Sequence, residues 1–272
     1  MATVISNNRL PIIINQVGHT SKLTRYYRIS RVSVHTVVAV LAVSAVFPIA
    51  SKRVKSSLIK WWCKRLLAVL NMRITTHGHP PLPNSNMRST MVVANHISWT
   101  DIHALNSIEP LRFIAKSEIS HWPVFGYLAR KANVLFIDRN KRHDAARIVH
   151  QTAKSLVQGD NLCLFPEGTT TDGTRVMPFK SSIIQAAIHA KATIHPVAIR
   201  YPTADGSINT HIAYAGETTM KESMQQLLLQ KNPAVELHFL APIDLADVDE
   251  TYLDRRKLTQ HIEQLIKAKL DF

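Results

Sequence analysis

The first absence along this 272-residue chain is negative charge: no aspartate or glutamate occurs before Asp101. Residues 1–90 hold 13 lysines or arginines and no carboxylate, so nearly all of the formal net charge of +14 lies there. The remainder carries 20 basic and 19 acidic residues and is electrically ordinary. Cysteine is almost as scarce. Cys63 and Cys163 stand alone in unlike contexts, which excludes a disulfide framework and fits a reducing compartment. With 8 glycines, the chain has no Walker A loop, no G-x-G-x-x-G and no G-x-S-x-G. H-E-x-x-H is missing too, so the common nucleotide, serine-hydrolase and zincin readings lack their motifs. There is no internal repeat and no low-complexity tract. The length allows a sizeable core, in one large domain or two small ones.

What is present begins with apolar runs between the cations. Residues 32–50, VSVHTVVAVLAVSAVFPIA, carry no formal charge, and as a helix they extend about 28 Å, near the roughly 30 Å of a bilayer core. Lys22, Arg25, Arg28 and Arg31 precede the run, and Lys52, Arg53 and Lys55 follow it. Positive flanks favour the cytoplasmic side, so a half-inserted or re-entrant helix rivals a full span. Next, SSLIKWWCKRLLAVLNM (56–72) repeats Ile59, Trp62, Cys63, Leu66, Leu67 and Leu70 at helical spacing. Trp61 and Trp62 among lysines suit a helix at the headgroup level of an anionic membrane. A buried core helix and a cleaved signal peptide are the alternatives. Nucleic acid is not expected as a partner, because the bases are interrupted by lipid-length apolar runs. The reading divides the chain into a basic segment (1–31), membrane-anchoring helices (32–72) and a third unit (73–272).

That third unit opens on a proline-rich linker, 77–89, and then alternates. Strand-like runs fall at 90–94, 111–115, 134–137, 162–165, 194–200, 211–215 and 235–240. Helical periodicity is clearest at 142–157, 181–191, 219–230 and 252–270. The pattern predicts an α/β fold with a mixed, largely parallel sheet flanked by helices.

Two polar knots interrupt the apolar runs where strands end. In VVANHISWTD, His96 falls where a strand hands over to a helix, at the sheet edge where ligands usually bind. Histidine is the common general base near neutral pH, and a carboxylate that fixes its tautomer improves it. Asp101 can serve, but positions five apart on one helix point about 140° apart. The pairing therefore needs His96 in a loop and Asp101 in the first helical turn. Ser98–Asp101 also fits S-x-x-D, in which the carboxylate only caps the helix. The second knot is LCLFPEGTTTDG. There Gly168 allows close backbone approach, Thr169 and Thr170 offer hydroxyls, and Glu167 can accept from a ligand hydroxyl. An ordinary turn explains the same residues. Arg139, at the end of VLFIDR, is either a phosphate contact or a surface arginine.

Together these stretches resemble the glycerolipid acyltransferases, the 1-acylglycerol-3-phosphate acyltransferase family. NHISWTD matches that family's N-H-x4-D motif, and FIDR, FPEGT and IHPVAIR resemble its second, third and fourth blocks. The basic, Trp-bearing helices also look like its membrane-docking helices. The resemblance covers about residues 73–215. It implies direct acyl transfer, in which His96, oriented by Asp101, activates the free hydroxyl of a lysolipid for attack on an acyl thioester. Acyl-CoA or acyl carrier protein is the implied co-substrate. Arg139, Glu167 and Gly168 are implied to place the head group, and no metal or redox cofactor is needed. The implied setting is the cytoplasmic face of a membrane, in bacteria the inner one. One departure stands out: Thr170 occupies the place of a frequent arginine after E-G-T, so Arg175 or Lys180 is expected to supply that cation. The block then resembles those of relatives that include lyso-ornithine lipid acyltransferases. Two rival readings remain. A metal-dependent hydrolase would draw on His77, His79, His96, Asp101 and His103, but no pair has the i,i+4 spacing of a compact site. A non-catalytic docking module leaves both polar knots unused.

Overall fold

Strand β2 (Thr90–Ala94) is buried at all five positions, the mark of a strand covered on both faces. The computed structural model, which describes residues 19–80, 89–137, 144–246 and 254–272, sets β2 at the centre of an eight-stranded sheet. β5 (Leu162–Leu164) and β6 (Thr193–Arg200) pair with it in parallel. Beyond β5 lie β3 (Arg112–Lys116) and β4 (Leu135–Ile137), also parallel. On the other side β7 (Ala234–Phe239) runs antiparallel to β6, and β1 (Arg73–His77) runs parallel to β7 at the edge. A short β8 (Ile243–Asp244) adds antiparallel to β6. The mixed, largely parallel sheet expected from the sequence is therefore present.

Alternation along β2 divides the core in two. Val92 and Ala94 face one cluster, with Leu105 of α3 (Thr100–Ile108) and Leu227 of α7 (Met220–Leu229). Met91 and Val93 face the other. That side holds α5 (Asp144–Val157), α6 (Ile184–His189) and α8 (Arg255–Lys269), which contribute Leu156, Ile188 and Ile266. A further short helix, α4 (Phe125–Lys131), follows a 3-10 turn after β3.

Two stretches differ from expectation. Residues 211–215 are not a strand: Thr210–Ile212 form a 3-10 turn. Ile212 and Ala213 are buried as the pattern required, but their N–H groups go to the local carbonyls of Asn209 and Thr210 rather than to a neighbouring strand. Conversely, β1 ends on the first residue of the expected linker. Its outer edge is solvent-facing, so the strand shows no apolar alternation. Most of that linker, the first residues of the helices expected at 142–157 and 252–270, and Arg139 lie outside the described residues.

The N-terminal helices also differ in detail. α1 runs Lys22–Ala45, starting at Ser21, whose hydroxyl accepts from Thr24 N–H, and stopping before Pro48. The cations expected to flank it are thus its first turns. One stripe packs inward: Arg28, His35, Ala39 and Val43 are buried. The guanidinium of Arg28 donates to the carbonyls of Gln230 (2.7 Å) and Lys231 (3.0 Å), just past the end of α7. His35 stacks on Trp62 at 5.0 Å, and each ring N–H donates to the other's backbone carbonyl. Ser44 meets the Tyr127 hydroxyl at 2.7 Å. The opposite face is bare, with Leu23, Tyr26, Val34, Val37 and Leu41 all exposed. By length and composition α1 can cross a membrane, yet its packing ties it along the α/β unit. α2 (Lys52–Val69) departs further. Its apolar stripe, expected at the headgroup level, is core instead: Leu66 and Leu67 pack with Trp99 and Leu105. The stripe finds protein partners on α3, and Trp61 is left half-exposed.

Candidate active site

The carboxyl ends of β2 and β5 lie side by side. After Ala94 the chain leaves the sheet at Asn95, whose amide clasps Ile199 in both directions: its NH2 donates to Ile199 O (3.0 Å) and its oxygen accepts Ile199 N–H (2.7 Å). That double bond fixes the end of β2 against β6. His96, Ile97 and Ser98 form the bend, and α3 starts at Thr100. With His96 off the helix and Asp101 in its first turn, the five-residue spacing closes. His96 Nδ1 and Asp101 Oδ2 are 2.8 Å apart.

Asp101 is fully buried. The same Oδ2 accepts Ile97 N–H (2.8 Å) and Ser98 N–H (2.9 Å). The two readings of Asp101 are therefore one: by capping the helix start it fixes the histidine. Its Oδ1 accepts the buried Tyr201 hydroxyl, which in turn meets Thr100 Oγ1 at 2.7 Å. Burial first, and then the adjacent carboxylate, push the Tyr201 phenol well above its usual range, so it stays a donor. Tyr201 closes the IHPVAIR stretch by one residue and was not singled out from the sequence. A buried tyrosine directly after an apolar strand was the available signal.

Because an ionised carboxylate only accepts, Nδ1 carries the proton and Nε2 presents a lone pair. The ring is held from three sides. It stacks on Phe165 at 3.9 Å and 7°. The His96 N–H donates to Glu167 Oε1 (2.7 Å), and its carbonyl accepts Thr171 N–H (2.9 Å). Glu167 is itself buried, and its Oε2 accepts Met177 N–H at 2.8 Å. Each carboxylate oxygen thus holds a backbone N–H, joining the two knots. Burial is the largest influence on Glu167 and raises its pKa to about 7, against the pull of the two N–H groups.

His96 opens onto a cavity of about 670 Å³, within the usual range of ligand pockets, about 300–1,000 Å³. Gly168, Thr169 and Thr170 line it beside the ring, Gly168 at φ +74°. Thr170 donates its hydroxyl to Tyr214 O. The far wall is apolar and comes from α1, α2, β3 and α4, including Val43, Trp62, Phe113 and Phe125. His103 lies in this wall between Trp62 and Trp99, and burial lowers its pKa to about 4. Arg175 and Lys180 are exposed and outside the lining, Arg175 near Asp172. The sequence-expected residues therefore separate into His96 with Asp101, a Gly168–Thr170 rim, a bracing Glu167, and two outlying cations.

A carboxylate-fixed imidazole at the carboxyl edge of a largely parallel sheet, lining a mainly apolar cavity, defines an α/β enzyme suited to acyl transfer on lipid-like substrates. Residues 73–200 match the family model described as Acyltransferase. A lyso-ornithine lipid O-acyltransferase of Pseudomonas aeruginosa is 35% identical over 217 residues, covering 79% of each chain. A 1-acyl-sn-glycerol-3-phosphate acyltransferase of Neisseria gonorrhoeae is 32% identical over 208 residues, covering 76% of this chain and 80% of its own. The fold is shared with the crystal structure of a 1-acyl-sn-glycerophosphate acyltransferase from Thermotoga maritima. That likeness has a TM-score of 0.69 at 22% identity, over 92% of this chain and 94% of the other. The chain belongs to the acyltransferase family, and it is an enzyme.

The Glu167 brace generates a pH prediction. A carboxyl with a raised folded pKa holds protons that the unfolded chain has already released, so its stabilisation is full below about 4.5 and is lost as pH rises towards about 7. Glu167→Gln, which cannot ionise, removes this dependence. The stability difference between wild type and variant should therefore shift against wild type by up to about 3 kcal/mol from pH 5 to pH 8, read by urea unfolding. An unchanged difference would mean that Glu167 ionises normally.

Proposed function

We propose that the protein transfers a fatty acyl group from acyl-CoA or acyl carrier protein to the free hydroxyl of a lysolipid. The observation that carries this reading is His96: its Nδ1 is held by a buried carboxylate, and the residue lines a cavity whose far wall is apolar. His96 Nε2 takes the hydroxyl proton as the acceptor oxygen attacks the thioester carbonyl. The tetrahedral intermediate collapses, the C–S bond breaks, and the imidazolium returns its proton to the departing thiolate. No acyl-enzyme forms. Asp101 stabilises the imidazolium while it lasts. The apolar wall takes an acyl chain, and Glu167 acts through the His96 backbone rather than on the ligand. His96→Ala should lower kcat by about 10²–10⁴-fold with folding intact, and Asp101→Asn should also be severe because the tautomer is lost. Near-normal turnover by purified His96→Ala would end this mechanism.

The bare face of α1 supports membrane association at a cytoplasmic, anionic surface. Exposed Leu23, Val34, Val37 and Leu41 lie on a helix whose first turns are cationic, the make-up of an interfacial helix. Because its other stripe is fastened to the α/β unit, α1 lies in one leaflet rather than crossing both. Val37→Asp with Leu41→Asp should abolish flotation with anionic vesicles while leaving the circular-dichroism spectrum unchanged. Undiminished flotation would remove α1 from this role.

The acceptor is 1-acylglycerol-3-phosphate, with Arg139 contributing a planar fork to its phosphate. A second reading, lyso-ornithine lipid, is favoured by the outlying positions of Arg175 and Lys180 and by the 35%-identical relative. Purified protein, labelled acyl-CoA and acyl carrier protein, and a panel of both lysolipids decide between them. Turnover of lysophosphatidate that falls in Arg139→Ala supports the first. Turnover of lyso-ornithine lipid alone supports the second, and transfer to neither sinks the acceptor class.

A further inference from the structure

Of the histidines that stand out in the sequence, His77 belongs to neither the reacting pair nor the cavity wall. It ends β1, and the parallel register sets it opposite His238 of β7, with Thr75 opposite Glu236. Register partners, and residues two apart on a strand, project to the same face. His77, Glu236 and His238 therefore share one side of the sheet. The two rings stack at 4.3 Å and 7°, and His238 Nε2 lies 3.4 Å from Glu236 Oε2. One donor atom from each of the three lies within 4.8 Å of the other two.

Local structure holds this grouping together. Gly78 follows His77 at φ +75°, and a Cβ there would meet Phe239 O at 2.1 Å. Only glycine lets the end of β1 press this closely on β7, which brings His77 against His238. His238 Nδ1 is buried and has no hydrogen-bond partner among the described residues.

We propose that His77, Glu236 and His238 form a binding site for one divalent transition-metal ion of the zinc type. Two imidazole nitrogens and a carboxylate suit that class, whereas magnesium and calcium favour all-oxygen sets. Bonds of about 2.0–2.2 Å place tetrahedral donors about 3.4 Å apart. His238 and Glu236 already meet that spacing. His77 is exposed, so its ring can leave the stack and close the third position, with water completing the shell. Lys269 of α8 is the opposing charge and tempers the affinity. The ion would rivet the edge strand β1 to β7. None of the three residues lines the His96 cavity, so the site is independent of acyl transfer.

The test uses the full chain, without an affinity tag and stripped by chelator. Cobalt(II) titration should give one ion per chain with a tetrahedral visible band, displaced by zinc, and zinc should raise the melting temperature. Loss of a mere partner of a metal ligand costs about 10–100-fold in affinity, so His77→Ala and His238→Ala should each weaken binding at least about tenfold. His77 is exposed, so its variant reads the site even if His238→Ala folds poorly. Transfer by the chelated protein should equal that of the untreated protein. No binding at about 1 mM metal, or one-to-one binding that survives His77→Ala, would overturn the site. Transfer lost on chelation and equally lost in His77→Ala would overturn the independence of the site from acyl transfer.

Discussion

A single carboxylate oxygen carries the centre of this molecule. Asp101 Oδ2 accepts two backbone N–H groups of the bend and the His96 ring. An oxygen in a fully buried carboxylate needs several donors to offset its lost hydration. Here the donors that satisfy it also set the position of the His96 ring. Remove the charge and the bend, the helix start and the tautomer lose their common support. The ring proposed as the base is held by the same interaction that fixes the bend leading into α3.

Around that oxygen the architecture works by cross-bracing. Asn95 pins the end of β2 to β6, Glu167 ties the His96 backbone to the chain beyond the second knot, and Thr171 returns to the His96 carbonyl. Tyr201, from the end of β6, reaches the other Asp101 oxygen. The site thus draws on three neighbouring parallel strands, β5, β2 and β6, at their shared carboxyl edge. Substrates enter a setting that is already rigid, which is how preorganised donors contribute most.

The sequence exposed this centre unevenly. Short continuous apolar runs made the central strands legible, and the polar knots His96–Asp101 and Glu167–Thr170 stood out because they break those runs. Glu167 was legible as important but not as buried, since nothing local says that both its oxygens meet backbone N–H groups from distant segments. Tyr201 escaped notice, and Asn95 was legible only as the first residue of its motif, for the same reason: their partners are long-range. The strand expected at 211–215 failed because an apolar run reports burial and not pairing. α2 has a stripe that suits lipid or protein equally, and only the presence of α3 decides between them. α1 was displaced because its early cations read as flanks, although Arg28 is buried on carbonyls beyond α7.

That last contact has a consequence in time. Arg28 and its acceptor at Gln230 are separated by 202 residues. At synthesis rates of about 5–20 residues per second, α1 leaves the ribosome some 10–40 s before its seat exists. For that interval the Arg28 end of the helix lacks its acceptors, while His35, further along, already has Trp62 of α2 within reach. The first helix is therefore seated in two stages, against α2 early and against the end of α7 late, and that order is written into the distance between one arginine and one carbonyl.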